Sequence, residues 1–232
     1  MTWIKICGTT NLEDALMCAE AGADALGFVF AESPRKIDAA TASKITVSVP
    51  ANIEKVGVFV DEAIDRVAEI SESAQLDTIQ LHGSEWSDYV RKLKKRTGRR
   101  IIQTTPKFPP NLFLDNIWRL LTFGYGFILR LEDPGAVYAW LYDSKRDELA
   151  GGTGIRWDWR DGSSAFELRQ KHGHRCIVAG GLTPENVREA IRILHPWGVD
   201  VVTGVERAPG KKDPAKVKAF IQAVREADAA KQ

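Results

Sequence analysis

Strand-like and helix-like segments alternate along nearly the whole chain, and no other feature restricts the fold so strongly. Short apolar runs occur at Trp3–Cys7, Ala23–Phe30, Glu54–Val60, Asp77–Leu81, Arg100–Thr104, Val137–Asp143, Arg175–Ala179 and Val199–Thr203. Segments with helical spacing separate most of them, at Leu12–Ala21, Ala39–Val47, Ala63–Ala74, Glu85–Arg96, Pro184–Leu194 and Pro214–Ala229. Asn11 is placed to cap the first helix, and Thr183-Pro184-Glu185 puts a cap and then a proline at the start of another. Strands separated by helices are parallel and joined by right-handed crossovers. Eight such units in 232 residues fit an α/β fold of the closed (β/α)8 barrel type, one domain spanning residues 1–232. An open doubly wound sheet is the rival, but no Gly-x-Gly-x-x-Gly follows the first strand. Pro106–Gly135, with Pro109-Pro110 and the apolar stretch Ile117–Leu131, resists assignment. The segment between strands five and six is therefore expected to be irregular or extended.

Composition narrows the function classes. A net charge of +1 gives no reason to expect nucleic acid or an acidic membrane as partner. No apolar stretch reaches the ~18 residues of a membrane span. No signal-peptide pattern opens the chain. Three cysteines, Cys7, Cys18 and Cys176, do not make a disulfide framework and read as reduced thiols of a cytoplasmic protein. No Cys-x-x-Cys or His-x-x-x-His pattern suggests a metal.

A barrel carries its active site where strands end and βα-loops begin. Cys7 ends the first strand and Asp143 the sixth, a thiol and a carboxylate on one rim. Period-2 alternation puts Ile4 and Ile6 on the helix-facing side and Lys5 and Cys7 inside. An inward Lys5 is expected to lower the Cys7 pKa. Position alone leaves Cys7 open between base and small core residue, and Asp143 between acid and turn cap. By the same count Gln80 and His82 share a face, so His82 is a site candidate or a strand-end hydrogen-bonder. Arg35, in Ser33-Pro34-Arg35, sits on a βα-loop where it could clamp a carboxylate or lie solvated. Cys18 reads as packing, and Cys176 lies early in its strand.

The glycines are more specific. Gly180-Gly181 closes the seventh strand and leads into a helix, and Thr203-Gly204 closes the eighth. Loops after strands seven and eight often hold a phosphate through backbone N–H groups and a helix N-terminus. Each site alone could be a plain turn, but two in register favour an anion cradle. Gly151-Gly152-Thr153-Gly154 has the composition of a mobile lid.

These residues carry a family resemblance. Lys5-Ile6-Cys7-Gly8, Ser33-Pro34-Arg35, Ile79-Gln80-Leu81-His82-Gly83, Asp143-Ser144-Lys145, Gly180-Gly181-Leu182-Thr183-Pro184-Glu185-Asn186-Val187 and Gly204-Val205-Glu206 with Pro209-Gly210-Lys211-Lys212-Asp213 resemble phosphoribosylanthranilate isomerases of tryptophan biosynthesis. The matches run in order over almost the whole chain. The resemblance implies a (β/α)8 barrel that catalyses the Amadori rearrangement of N-(5-phosphoribosyl)anthranilate to 1-(2-carboxyphenylamino)-1-deoxyribulose 5-phosphate. It implies Cys7 as general base and Asp143 as general acid. It further implies Arg35 on the anthranilate carboxylate, His82 in the substrate site, and Gly180, Gly181, Thr203 and Gly204 around the phosphate. No cofactor or metal is implied, because the substrate's own imine is the electron sink. The implied partner is a small-molecule phosphosugar-anthranilate, with the protein a monomer or homodimer. Thr203 departs from the usual serine and Arg156 from the usual lysine. Pro106–Gly135 matches little, and its apolar stretch could pack as an added helix or face a partner subunit.

Overall fold

A computed structural model describes residues 1–85, 87–105, 135–143 and 163–230. All of Pro106–Gly135 except Gly135, the glycine-rich Gly151–Gly154, and Arg156 lie outside them.

The strands are β1 (Trp3–Cys7), β2 (Ala25–Val29), β3 (Glu54–Phe59), β4 (Thr78–Leu81), β5 (Arg100–Thr105), β6 (Ala139–Asp143), β7 (Cys176–Ala179) and β8 (Gly198–Val201). They pair in parallel in sequence order, and β8 returns to β1 to close the barrel. The described helices are α1 (Leu12–Glu20), α2 (Ala39–Thr46), α3 (Ile64–Ser73), α4 (Ser87–Thr97), α5 (Ser163–Lys171), α6 (Val187–Leu194) and α7 (Pro214–Ala229). Asn11 caps α1, its side chain accepting from the Asp14 N–H at 2.9 Å. At α7 the Asp213 carboxylate accepts from the N–H groups of Ala215 and Lys216, and Pro214 opens the first turn. Both satisfy helix-start donors that would otherwise lack partners.

Strand alternation sorts the core into two parts. Ile4, Ile6, Phe28, Ile79, Leu81 and Val199 face outward and pack under the helices with Val67, Leu93, Ile191 and Phe220. Inside the barrel Ala25, Val56, Ile102, Ala139, Leu141, Ile177 and Ala179 meet one another. The small alanines leave room for larger side chains at either end. At the end where strands begin, Trp3 stacks on Trp197 with ring centroids 5.1 Å apart, and Tyr138 meets Trp197 edge-on at 5.8 Å. This aromatic layer packs on the interior cluster. Arg100 and Arg175 cover the Tyr138 ring there, at 5.1 and 4.4 Å from its centroid, and the opposite end carries Cys7, His82 and Asp143.

One element has no counterpart in the sequence reading. After a 3-10 turn at Thr203–Val205, β9 (Glu206–Ala208) and β10 (Lys211–Lys212) form a short antiparallel hairpin before α7.

Candidate functional site

The register of β1 sets the first group. Lys5 lies opposite Asp200 on β8, and Cys7 lies opposite Gly27 on β2. A Cβ on Gly27 would stand 2.5 Å from the Cys7 Sγ, so glycine is what admits the thiol at this point of the rim. Cys7 is buried, and Lys5, with no exposed surface, holds its Nζ 2.9 Å from Asp200 Oδ2. Burial by itself would lower the Lys5 pKa, but Asp200 and then Cys7 outweigh it and the value is raised. A cation therefore sits beneath the thiol. The expected consequence for Cys7 needs correction: burial pushes its pKa up, and the downward pull of Lys5 is the smaller effect.

Asp143 ends β6, three places round the barrel from β1. His82 follows β4 and brings Nε2 to 3.7 Å from Asp143 Oδ2. That is too long for a hydrogen bond. The second ring nitrogen, Nδ1, lies 3.2 Å from Gln80 Nε2 and 3.0 Å from Thr104 Oγ1. With the Gln80 amide donating to Nδ1, the ring proton is assigned to Nε2, the nitrogen that looks toward Asp143. Gln80 and His82 share the inward face, as the alternation predicts, and His82 is found beside the carboxylate.

Arg35 lies on the loop after β2, over Gly8. A Cβ on Gly8 would come within 2.6 Å of Arg35 Cδ, and Gly8 has φ +76°, a left-handed conformation that glycine adopts without cost. Arg35 donates from Nε and Nη2 to the two oxygens of Glu206, at 2.8 and 2.6 Å. Glu206 Oε1 also accepts from the Gly210 N–H at 3.1 Å and from Lys212 Nζ at 3.2 Å. Burial alone would raise the Glu206 pKa, but Arg35 and Lys212 bring it below the ordinary value. The hydrogen bond to Glu206 in turn raises that of Arg35. Lys212 is fully buried and also donates to the Cys7 carbonyl. Sequence reasoning gave no role to Glu206, Lys212 or Asp200. Asp200 could have been found, since alternation sets a carboxylate between the core residues Val199 and Val201 on the face opposite theirs.

The glycine loops meet. Gly180 and Gly181 have φ of +81° and +70°, and a Cβ on Gly204 would lie 1.9 Å from the Leu182 carbonyl oxygen. The loops after β7 and β8 are thus packed backbone to backbone, leaving no room for a side chain at Gly204. The helix after Gly180-Gly181 starts later than expected, at Val187 rather than Pro184. Asn186 folds back instead, accepting from the Thr183 N–H at 2.8 Å and donating to the Gly181 carbonyl at 2.9 Å. Thr203 and Gly204, expected to close the strand, form the 3-10 turn after it.

The other thiols are buried, Cys18 in α1 and Cys176 in β7, with pKa values pushed up to about 12 by desolvation. They belong to the packing. Among the described residues no three His, Cys, Asp or Glu side chains gather where a metal ion could be held, and no helix is long and apolar enough to cross a membrane.

Comparison with known proteins agrees with this layout. A family model described as N-(5'-phosphoribosyl)anthranilate (PRA) isomerase matches residues 4–108 and 130–223. An N-(5'-phosphoribosyl)anthranilate isomerase of Trichlorobacter lovleyi is 41% identical over 231 residues, 98% of this chain and 100% of the relative. A crystal structure of phosphoribosyl anthranilate isomerase in complex with reduced 1-(o-carboxyphenylamino)-1-deoxyribulose 5-phosphate superposes with a TM-score of 0.75. It is 34% identical and covers 97% of this chain and 100% of that one. Monomers generated from the dimeric enzyme of Thermotoga maritima match with the same TM-score, identity and coverage.

Proposed function

The chain belongs to the N-(5'-phosphoribosyl)anthranilate isomerase family of tryptophan biosynthesis, and from that premise we propose that Cys7 is its general base and Asp143 its general acid. The substrate is an N-glycoside, a cyclic N,O-acetal joining C1 of ribose 5-phosphate to the nitrogen of anthranilate. A proton from Asp143 to the ribose ring oxygen breaks the C1–O bond and leaves an imine between C1 and the anthranilate nitrogen. Cys7, as thiolate, then takes the proton from C2, and the electron pair of that C–H bond moves into the imine. The enolamine so formed tautomerises to the ketone. Splitting the work between an acid and a base on separate strand ends, three places apart round the mouth, suits this sequence. The ring oxygen and C2 need not be served from one direction.

The remaining residues fit the rest of the substrate. Gly180, Gly181, Thr203 and Gly204 would cradle the phosphate, Arg35 would meet the anthranilate carboxylate, and His82 would lie against the substrate beside the acid. The observation that carries the reading is the setting of Cys7: a buried thiol at the rim, over a buried ammonium, with a glycine cut away on the neighbouring strand. A core cysteine needs none of these. Cys7 works from its thiolate form, which Lys5 supports against burial. One barrel domain, a cytoplasmic location, and a monomer or a homodimer like the Thermotoga maritima enzyme complete the reading.

The test is kinetic. Cys7→Ser and Asp143→Asn should each lower kcat by about 10²-fold or more while the product still binds. A near-normal kcat in either variant removes that residue from its role.

A further inference from the structure

The hairpin β9–β10 brings a carboxylate to Arg35 from 171 residues away in sequence, and the way it is held suggests a task beyond packing. We propose that Glu206 is the positioning residue for Arg35, acting with Lys212 to fix the guanidinium so that one edge is spent inside the protein and the other is kept for the carboxylate of the substrate. This rests on the role given to Arg35 above and deepens it.

A guanidinium has a side-on edge, Nε with one Nη, and an end-on edge formed by the two Nη groups. Glu206 takes the side-on edge with both oxygens. Among the described residues nothing else is hydrogen-bonded to this guanidinium, so its end-on edge remains for a second carboxylate. The grip is rigid because Glu206 is itself held. The Gly210 N–H and Lys212 Nζ both donate to Oε1, and Lys216 Nζ donates to the Glu206 carbonyl at 3.0 Å. The Lys212 N–H donates to Asp14 on α1 at 3.0 Å, and the Thr10 hydroxyl donates to the Gly210 carbonyl at 2.6 Å. The hairpin is therefore tied to the loop and helix that follow Cys7.

Charge explains why both Glu206 and Lys212 are needed. Arg35 with Glu206 alone would be neutral and a weak attractor of an anion. Lys212, fully buried, restores one net positive charge to the trio without offering a second exposed cation. Lys212 also donates to the Cys7 carbonyl, so one ammonium joins the carboxylate clamp to the strand end that carries the base.

The experiment compares two substrates. N-(5-phosphoribosyl)anthranilate and the compound made with aniline, which lacks the carboxylate, are offered to wild type and to Glu206→Gln, and product binding is measured with and without the carboxylate. A clamp misplaced by about 1 Å can cost about 10²-fold. Glu206→Gln should therefore lower kcat/KM on the carboxylate-bearing substrate by about that factor, mostly through KM. The aniline compound should change by less than about threefold. Equal losses on both substrates would make Glu206 merely structural, and no loss on either would also overturn the proposal. If Glu206→Gln does not fold because Lys212 is left unpaired, Glu206→Asp keeps the charge, withdraws the two-point grip by one methylene, and is judged by the same comparison. Wild type that neither consumes nor binds the carboxylate-bearing compound would overturn the isomerase reading and this one together; wild type that does both, with discrimination unchanged in the variant, would overturn this one alone.

Discussion

Replacing Lys5 by methionine removes an ammonium from the barrel interior and leaves Asp200 with no ion-pair partner among the described residues. The carboxylate is poorly placed to bear this. It is buried, and among the described residues its Oδ1 has no hydrogen-bond partner. At 2.9 Å and an effective dielectric of about 20, the attraction being lost is about 6 kcal/mol. The pair also carries a desolvation cost, and removing one partner of a buried pair typically destabilises by about 3–5 kcal/mol. At about 2–4 °C per kcal/mol for a chain of this size, the melting temperature should fall by roughly 6–20 °C. Asp200→Leu should fall comparably, because it strands the ammonium instead. The double variant, Lys5→Met with Asp200→Leu, buries no charge at this point and should recover most of the loss. Thermal melts of the four proteins, followed by circular dichroism under one buffer condition, read the cycle. Single variants melting within about 2 °C of wild type, or a double variant losing the sum of the two, would refute the argument that these charges hold one another in the barrel.

Other expectations concern the same rim. Gly27→Ala drives a methyl group into the Cys7 sulfur, so stability should drop by about 1–3 kcal/mol and kcat by about 10²-fold; unchanged kinetics would mean that the thiol does not depend on its place. Gly204→Ala puts a Cβ against the Leu182 carbonyl and should weaken binding of the phosphate-bearing product by about tenfold, or ~1.4 kcal/mol, as read by calorimetric titration. Alkylation of Cys7 by iodoacetamide should accelerate with pH and reach its midpoint above the ordinary thiol value of about 8.5, since burial outweighs Lys5; a midpoint below that value would show the cation prevailing. The lowered pKa of Glu206 implies stability that is present above the unfolded value of about 4.3 and is lost as pH falls through the lower folded value. In denaturant titrations from pH 7 to pH 3, Glu206→Gln should therefore lose less stability on acidification than wild type.

Much of this site could be read from sequence because barrels convert local pattern into position. Alternation in Trp3–Cys7 placed Lys5 and Cys7 inside and Ile4 and Ile6 outside, as found. The failures came where long-range contacts decide. The sign of the Cys7 shift depends on how deeply the thiol is buried, which alternation does not measure. The hairpin carrying Glu206 and Lys212 has strands of three and two residues, too short for periodicity to register, and its partners are distant in sequence. Helix α5 gave little apolar signal because Arg169, buried and stacked 3.9 Å above the Trp140 ring, stands where an apolar residue would have marked the inner face with Phe166. The late start of α6 follows from the two hydrogen bonds of Asn186, a choice that Thr183-Pro184-Glu185 does not reveal.

The central claim is that this rim isomerises N-(5-phosphoribosyl)anthranilate with Cys7 as the base. The most direct measurement mixes freshly generated substrate with the purified protein, without added metal, and follows the loss of its fluorescence. The account predicts rapid loss beyond the spontaneous background in wild type and none in Cys7→Ala that still binds product. Wild-type consumption that survives in Cys7→Ala would contradict the assignment of the base, and a folded wild type that leaves the substrate untouched would contradict the account as a whole.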